Sequence, residues 1–283
     1  MRDDFCALIL THGRPESVIT YNTLLKSGYT GKIYLVVDDE DESLPQYIKN
    51  FGSESVLVFS KAEIAKETDA GDNLPLRSVV FARNAAHKLA EQVNCTYFMQ
   101  LDDDYTYFTF KFNENLSYGH WGMKDMDAVI EAMIDFYDVS GCTTIAMAQG
   151  GDFVGGEQGG YGSSVQLTRK SMNSFLCSTE RPFKFMGQLN DDVNTYVSLG
   201  RKGQLFFTIN MVGLNQKTTQ TNKGGLTDLY LDTGTYVKSF YTVMYEPSCC
   251  VVSYMNTKNK RLHHRLSWDN ISPKIISENH KRI

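Results

Sequence analysis

The sequence "YFMQLDDDYTYFTF", residues 97–110, carries the strongest indication of both the fold and the site. An apolar run from Tyr97 to Leu101 is typical of a buried strand, and three aspartates follow it without interruption. Adjacent carboxylates at the mouth of such a strand repel one another and lose hydration. We therefore expect Asp102, Asp103 and Asp104 to meet a bound cation or to have a chemical role.

Strands and helices alternate over the first hundred residues. The apolar pattern predicts strands over 5–10, 32–39, 55–60 and 95–101, and helices over 15–28, 44–51 and 77–93. This alternation predicts an α/β fold with a mostly parallel central sheet flanked by helices, and such sheets bind ligands beyond the carboxyl ends of their strands. Asp38, Asp39 and the three aspartates at 102–104 fall at that edge, which predicts a site there.

The rest of the chain is less regular. We predict strands over 105–112, 143–149, 165–168 and 204–212, helices over 125–139, 170–176 and from 190 to 200 or 203, and a polar loop over 215–225. Residues 150–164 contain seven glycines and form either a flexible loop or a loop that lets a sugar or nucleotide approach the backbone. They match neither G-x-G-x-x-G nor G-K-[ST], which argues against a dinucleotide or P-loop site.

Composition restricts the class of protein. The 283 residues are 42% hydrophobic, and no stretch reaches the roughly 20 apolar residues of a membrane span. The start "MRDDFCALIL" lacks the basic residues of a signal peptide, so we expect a cytoplasmic protein. Six cysteines without C-x-x-C spacing suit reduced core thiols better than disulfides or a zinc site.

A D-x-D motif at a strand end suggests a divalent metal. Alternation along an extended chain puts Asp102 and Asp104 on one side and Asp103 on the other. Mg²⁺ and Mn²⁺ prefer oxygen ligands and are usually held by one or two carboxylates while substrate phosphates complete the shell. The alternative is a solvated acidic turn, because D-x-D is short and common.

Four elements in order resemble a known family. They are "LILTHGRPESVITYNTLLKSG" (8–28), "KIYLVVDDEDES" (32–43), the helix start "FARN" (81–84) and the strand ending in D-x-D. Together they resemble the nucleotide-sugar-binding half of GT-A fold glycosyltransferases, especially the family-two-like group. The resemblance implies a Rossmann-like GT-A fold in one domain over 1–283, with a donor half (1–105), an acceptor half (106–255) and a basic C-terminal tail (256–283).

The resemblance also implies roles for individual residues. Asp102 and Asp104 would hold Mn²⁺ or Mg²⁺ on the diphosphate, and Asp38 or Asp39 would hydrogen-bond the base or ribose. Asn84 could instead cap a turn, and Arg83 could pair with Asp72 or Glu91. The residues implied in donor binding are Thr11, His12, Gly13, Arg14, Asp38, Asp39, Arg83, Asn84 and Asp103.

Two later motifs extend the resemblance. "LNDDVNTYVSLGRKG" (189–203) is similar to the acidic pair that provides the general base in inverting members, so Asp191 or Asp192 is the candidate base. The first turn of a helix should lower the pKa of that carboxylate, unless the pair only caps the helix. A C-terminal histidine often completes the metal shell in this family, so His263 or His264 could do so; otherwise both are surface residues.

The acceptor is suggested by charge and aromatic residues. The tail over 256–283 carries seven Lys or Arg against Asp269 and Glu278, a net charge of about +5 that suits a polyanion. The overall pattern is similar to phage and TET-associated glycosyltransferases, which implies transfer from a UDP-sugar to 5-hydroxymethylcytosine or a related base of phage DNA, in the host cytoplasm. Aromatic side chains expected to be exposed are Tyr105, Tyr107, Tyr118, Trp121 and Trp268.

Other functions stay open at the level of sequence. A polysaccharide or protein acceptor would leave the tail without a role, and a nucleotide-binding module would keep the fold without turnover. The aromatic side chains could equally be core or sugar-stacking residues rather than contacts to flipped-out bases.

Overall fold

The computed structural model describes residues 1–71, 76–115, 117–149, 165–217, 237–255, 261–275 and 278. Its strands are β1 Phe5–Leu10, β2 Lys32–Asp38, β3 Val56–Phe59, β4 Tyr97–Asp102, β5 Tyr105–Phe112, β6 Tyr118–Gly122, β7 Thr144–Gln149, β8 Val165–Gln166, β9 Phe175–Ser178, β10 Phe206–Gln216, β11 Cys250–Met255 and β12 Arg261–Leu266. Its helices are α1 Ile19–Lys26, α2 Leu44–Phe51, α3 Lys61–Glu67, α4 Val80–Gln92, α5 Met126–Ser140, α6 Asp191–Gly200, α7 Val237–Tyr245 and α8 Trp268–Ile271.

One large sheet organises the described part of the chain. Its strand order is β3-β2-β1-β4-β9-β7-β10-β5-β6, with β8 paired to β10, while β11 and β12 form a separate hairpin. The four strands from β3 to β4 are parallel, as are β7 and β10, and the remaining pairs are antiparallel. Leu10 pairs with Asp102, so the carboxyl ends of β1 and β4 reach the same edge.

Helices cover both faces of the sheet. Alternate residues of β1 enter two separate cores, because successive side chains of a strand point to opposite faces. Ile9 packs with residues of α1 and α5, whereas Leu8 packs with residues of α4 and α6. All six residues of β1 are buried, as expected for a strand covered on both sides. The predicted α/β class is therefore confirmed.

Most predicted elements are present, with shifted ends. β1, α2 and β5 have the predicted bounds, and Asp125 caps α5 by accepting a hydrogen bond from the Ala128 amide at 3.1 Å. α1 begins at Ile19 instead of residue 15, because the backbone forms a turn there, with the Ser17 amide bonded to the Arg14 carbonyl. α4 likewise begins three residues late, and α3 was not predicted.

The helix predicted over 170–176 is wrong. Phe175–Ser178 forms β9, which inserts between β4 and β7 and is buried throughout. The gap between two core strands decides its conformation, and tertiary pairing overrides the local helical preference. The glycine-rich prediction over 150–164 and most of the predicted loop over 215–225 lie outside the described residues.

Side-chain exposure bears on the remaining predictions. All six cysteines are buried free thiols, as predicted. Tyr107 and Trp121 are exposed, at 45% and 40%, but Tyr105 is completely buried, so its predicted exposure is wrong. The reason is that its hydroxyl donates to the Asn173 carbonyl at 2.7 Å inside the core. Among the described helices, none combines the length and apolar character needed to cross a bilayer.

Candidate active site

Asp103 is held by the loop after β1. It is 2% exposed, accepts a hydrogen bond from the Thr11 hydroxyl at 2.7 Å, and lies 3.4 Å from Nε of Arg14. The Tyr47 hydroxyl of α2 fixes this loop, since it lies 2.9 Å from the Thr11 hydroxyl and accepts from the Arg14 amide at 2.8 Å. Tyr47 was not predicted, because only the tertiary fold brings α2 to the loop. The donor-binding roles of Thr11, Arg14 and Asp103 stay predictions.

Arg83 joins the two acidic motifs. Its guanidinium, only 3% exposed, lies 3.1 Å from Oδ1 of Asp102 through Nη2 and 2.9 Å from Oδ2 of Asp191 through Nε. It also lies over the rings of Phe175 and Phe185, with centroids at 4.9 and 5.6 Å. The alternative prediction that Arg83 pairs with Glu91 is therefore wrong. The other alternative partner, Asp72, lies outside the described residues. One buried cation thus connects a donor-side carboxylate with the candidate base.

Burial has the largest effect on the pKa values of the aspartates in the candidate active site. It raises the pKa of Asp102 to about 7 and that of Asp191 to about 6, although the charge of Arg83 lowers both. Burial also raises the pKa of Asp192. The predicted lowering of the pKa at the start of α6 is therefore wrong, because loss of hydration outweighs the helix dipole. A carboxylate with a pKa of about 6 is mostly ionised at neutral pH and still basic enough to accept a proton.

The three consecutive aspartates fit a hard divalent cation. Burial raises the pKa of Asp102, Asp103 and Asp104, because their ionised forms lose hydration at this edge, and a bound cation would favour those ionised forms. No group of three or more His, Cys, Asp or Glu side chains arranged to hold a metal occurs among the described residues. Mn²⁺ and Mg²⁺ need only one or two carboxylates when substrate phosphates supply the other oxygens. The oxygen donors present suit a cation bound together with a diphosphate.

Thr20 of α1 fixes the backbone of this turn. Its hydroxyl donates to the Asp102 carbonyl at 2.6 Å and accepts from the Tyr105 amide at 2.9 Å, and its amide donates to the Asp103 carbonyl at 3.1 Å. Sequence reasoning missed Thr20, since nothing in its local pattern separates it from other helix threonines. It positions the carboxylates without contributing one.

The carboxyl end of β2 carries a second charged cluster. His12 Nδ1 and Lys61 Nζ each lie 2.7 Å from a different oxygen of Asp38, and the hydrogen bond to Asp38 raises the pKa of His12. The Gly13 amide, at a φ of +68°, donates to Asp41 at 2.7 Å, so this loop also depends on a buried carboxylate that was not predicted. Lys61 of α3 was missed with its helix.

Two further predicted residues at this edge serve the protein's own backbone. Asp39 is exposed and accepts from the Lys61 amide at 2.9 Å, at the start of α3. Asn84 accepts from the Phe185 amide at 2.7 Å and donates to the Phe185 carbonyl at 2.9 Å. Asn84 therefore fixes the backbone at Phe185, whose ring lies against the Arg83 guanidinium. Donor contacts by His12, Gly13, Asp38, Asp39 and Asn84 stay predictions.

The C-terminal hairpin reaches the start of α6. His264 is 5% exposed, so the surface alternative is wrong for it; its Nδ1 lies 3.4 Å from the Asn190 amide nitrogen and its Nε2 lies 3.4 Å from Lys170 Nζ. The His263 ring lies against it, with the ring centroids 4.3 Å apart and the ring planes tilted by 36°. The fold therefore brings His264 beside the residue that precedes Asp191, and metal binding by either histidine stays a prediction.

A cavity lies apart from these carboxylates. It measures about 530 Å³ between α1 and β5 and is lined by Lys26, Tyr107 and Lys124 among others. Neither Asp102 nor Asp191 lines this cavity. The arrangement of charged side chains, rather than the size of a cavity, therefore identifies the candidate active site.

A family model described as TET-Associated Glycosyltransferase matches residues 5–225. No curated protein matches the chain.

The chain is also similar to several solved structures. Glucosyl-3-phosphoglycerate synthase from Mycobacterium tuberculosis, in complex with Mn²⁺ and UDP-glucose, is 9% identical over 93% of this chain and 87% of its own, with a TM-score of 0.47. S. aureus TarS 1–349 in complex with UDP is 11% identical over 86% and 65%, at 0.45. The mannosyltransferase PcManGT from Pyrobaculum calidifontis, with GDP-Man and Mn²⁺, is 9% identical over 87% and 74%, at 0.49. Likeness at this level does not specify a substrate.

Proposed function

The chain belongs to the TET-associated glycosyltransferase family, and we propose that it transfers a sugar from a nucleoside-diphosphate sugar to 5-hydroxymethylcytosine or a related hydroxymethylpyrimidine in phage DNA. The observation that carries the proposal is the buried guanidinium of Arg83 between Asp102 and Asp191. It brings a carboxylate suited to a metal–diphosphate and a carboxylate suited to proton abstraction to one place. Inverting transfer from a phosphorylated donor to a hydroxyl acceptor uses both.

Asp102 and Asp104 are the residues we assign to Mn²⁺ or Mg²⁺. If bound there, the cation would neutralise the charge on the departing nucleoside diphosphate, which would favour the transition state over the bound substrate. The chain's own contribution is to hold the aspartates in place: Thr20 fixes the turn, and Arg83 orients the Asp102 carboxylate. The loop at Thr11–Arg14, tied to Asp103, lies beside them for the nucleotide. A UDP-sugar is the donor that the family resemblance favours.

Asp191 or Asp192 is the proposed general base. The acceptor oxygen forms a bond to the anomeric carbon, the bond from that carbon to the diphosphate oxygen breaks, and the acceptor proton goes to the carboxylate. The Arg83 ion pair favours the ionised form of Asp191, and a pKa of about 6 leaves it able to accept that proton. Between the two, Asp191 has the direct contact with Arg83, while Asp192 accepts from the Val193 amide at 2.7 Å.

Family membership and charge support DNA as the acceptor. The tail over 256–283 has a net charge of about +5 in a protein whose overall net charge is −5, and a cationic segment attracts the phosphate backbone irrespective of sequence. A hydroxymethyl group inside a duplex has to leave the base stack to reach the buried Asp191. Such an enzyme acts where phage DNA is, in the host cytoplasm.

The test is direct incubation with a panel of nucleotide sugars and Mn²⁺, with and without hydroxymethylated DNA, followed by mass spectrometry of the nucleosides. We expect hydroxymethylcytidine or its uridine analogue to gain the mass of one sugar, and the Asp191→Asn and Asp192→Asn variants to show which carboxylate is required. An exposed aspartate of α5, as Asp135→Asn, serves as the control. A sugar gained by a saccharide or a protein while no nucleoside changes would overturn the DNA acceptor.

A further inference from the structure

His12 is held on the solvent side of two buried carboxylates. Its Nδ1 lies 2.7 Å from Oδ2 of Asp38 and 3.5 Å from Oδ2 of Asp41. The side chain of His12 is 46% exposed, whereas those of the two aspartates are 6% and 2% exposed. Within the described residues, Nε2 of His12 has no hydrogen-bond partner. One nitrogen of the imidazole is therefore fixed by the protein, and the other can contact a ligand.

Asp38 is less accessible to a ligand than His12. The second oxygen of its carboxylate lies 2.7 Å from Nζ of Lys61, which in turn lies 3.3 Å from the carboxylate of Glu40. Each carboxylate oxygen of Asp38 is thus engaged by a side chain of the protein itself. Of the His12–Asp38 pair, His12 is the member that a ligand can reach.

The donor's nucleoside should lie over the carboxyl ends of β1 and β2. The strand order runs β2-β1-β4, so the end of β2 lies two strands, or about 10 Å, from Asp102 at the end of β4. Arg83 lies on the other side of β4, against Phe175 of β9, and joins Asp102 to Asp191 there. A diphosphate at Asp102 with its sugar directed toward Asp191 leaves the nucleoside on the side of His12.

The protonation state of His12 decides which hydrogen bond its Nε2 can form. Protonated imidazole donates from both nitrogens, whereas neutral imidazole with its proton on Nδ1 accepts at Nε2. The Asp38 carboxylate keeps a proton on Nδ1 in either state. The hydrogen bond to Asp38 raises the pKa of His12 and the charge of Asp41 adds to this effect, while partial burial and the ammonium of Lys61 act against it. Nε2 therefore donates at low pH and accepts at high pH.

We propose that His12, oriented by Asp38, recognises the base of the nucleotide sugar by donating from Nε2 to a carbonyl oxygen, and so selects uracil or guanine over cytosine or adenine. The inference rests on the proposed function, because it takes the ligand at this edge to be a nucleoside diphosphate. Uracil and guanine carry a carbonyl oxygen where cytosine and adenine carry an amino group, which donates. An imidazolium N–H that faces an amino group leaves both donors without an acceptor.

The experiment measures Kd for UDP, CDP, GDP and ADP by calorimetry in the presence of Mg²⁺, from pH 5.5 to pH 8.5. Both members of the UDP–CDP pair, and of the GDP–ADP pair, carry the same diphosphate, so titration of Asp102 affects both equally. A hydrogen bond from a charged donor corresponds to about tenfold in affinity or more. We therefore expect UDP to bind about tenfold more tightly than CDP at pH 5.5, and the preference to fall as pH rises through the pKa of His12.

Three variants assign the effect to this pair of residues. His12→Gln removes the titrating group, so its preference for UDP should not change with pH. Asp38→Asn removes the carboxylate that favours the imidazolium, so the pH dependence should remain but move to lower pH. His120→Gln replaces an exposed histidine of β6 and should behave like the unmodified chain. Circular dichroism checks folding, and the half-exposed position of His12 keeps the test valid if Asp38→Asn does not fold.

Two outcomes overturn the inference. The first is a ratio of Kd values for UDP and CDP that is equal at pH 5.5 and pH 8.5 in the unmodified chain. The second is a pH-dependent ratio that persists in His12→Gln. If the unmodified chain binds none of the four nucleoside diphosphates, the proposed function itself is overturned, and the absence of any binding heat distinguishes that result from the other two.

Discussion

Replacing Arg83 with methionine should stop sugar transfer and destabilise the protein in a pH-dependent way. Methionine keeps the apolar contacts with Phe175 and Phe185 but leaves Asp102 and Asp191 without the cation that lies 3.1 and 2.9 Å from them. Removing one partner of a buried ion pair typically costs about 3–5 kcal/mol. We therefore expect the free energy of unfolding at pH 8 to fall by about that amount.

The cost should shrink as the solution is acidified. The pKa values of Asp102 and Asp191 in the folded protein, about 7 and about 6, already exceed the usual aspartate value of 3.8. Loss of Arg83 raises both further, so between pH 8 and pH 5 the folded variant takes up protons that the unfolded chain does not bind. Proton uptake by the folded state stabilises it as pH falls. Each unit of additional pKa shift corresponds to about 1.4 kcal/mol.

Urea denaturation from pH 5 to pH 8 and the pH dependence of kcat measure these effects. Arg83→Lys, which keeps a charge, should recover part of both. Arg181→Met is the matched control, since Arg181 stacks on Tyr137 at 4.1 Å and pairs with the exposed Asp138, away from the candidate active site. An acid limb of kcat that does not move in Arg83→Met, or a destabilisation that grows on acidification, would refute the reasoning.

Three further changes test separate contacts. Asp191→Asn should remove part of the stability that the protein gains between pH 7.5 and pH 5. The pKa of Asp191 is higher in the folded protein than in the unfolded chain, so its contribution to stability is fully present only below the unfolded pKa. Thermal denaturation at both pH values measures this contribution, and a pH dependence identical to that of the unmodified protein would contradict the prediction. Asn84→Ala should lower the free energy of unfolding by about 1–3 kcal/mol, since the Phe185 amide and carbonyl lose their partners, and urea denaturation with an unchanged midpoint would argue otherwise. Thr20→Val should weaken calorimetric binding of Mn²⁺–UDP, because the Tyr105 amide and the turn lose their hydrogen bonds, and unaltered binding would show that Thr20 does not position the carboxylates.

The candidate site could be predicted from sequence because its acidic groups follow strong local patterns. The apolar run before Asp102 and the helix start at Asp191 predict a strand end and a helix N-terminus, and the structure has both. Parallel strands bring their carboxyl ends to one edge, so Asp38 and Asp102 could be assigned to it before any coordinates were known.

The partners of these groups depend on tertiary contacts and could not be predicted. Arg83 meets Asp191 across 108 positions of sequence, and no local pattern records that contact. The pKa of Asp191 was predicted in the wrong direction, because the helix dipole can be recognised in a sequence and the extent of burial cannot. The helix wrongly predicted over 170–176 includes Phe175 and Leu176 of β9, and the position of that strand between β4 and β7 is determined only by the folded sheet.

The proposed function depends on the binding of a divalent cation, together with a diphosphate, by Asp102 and Asp104. Titration of Mn²⁺ into the protein with and without UDP, followed by the electron paramagnetic resonance signal of free Mn²⁺, tests it most directly. We predict Mn²⁺ uptake that strengthens when UDP is present, is lost in Asp102→Asn and Asp104→Asn, and persists in Asp135→Asn. Uptake that is equal in all four proteins, or that does not respond to the diphosphate, would contradict the claim.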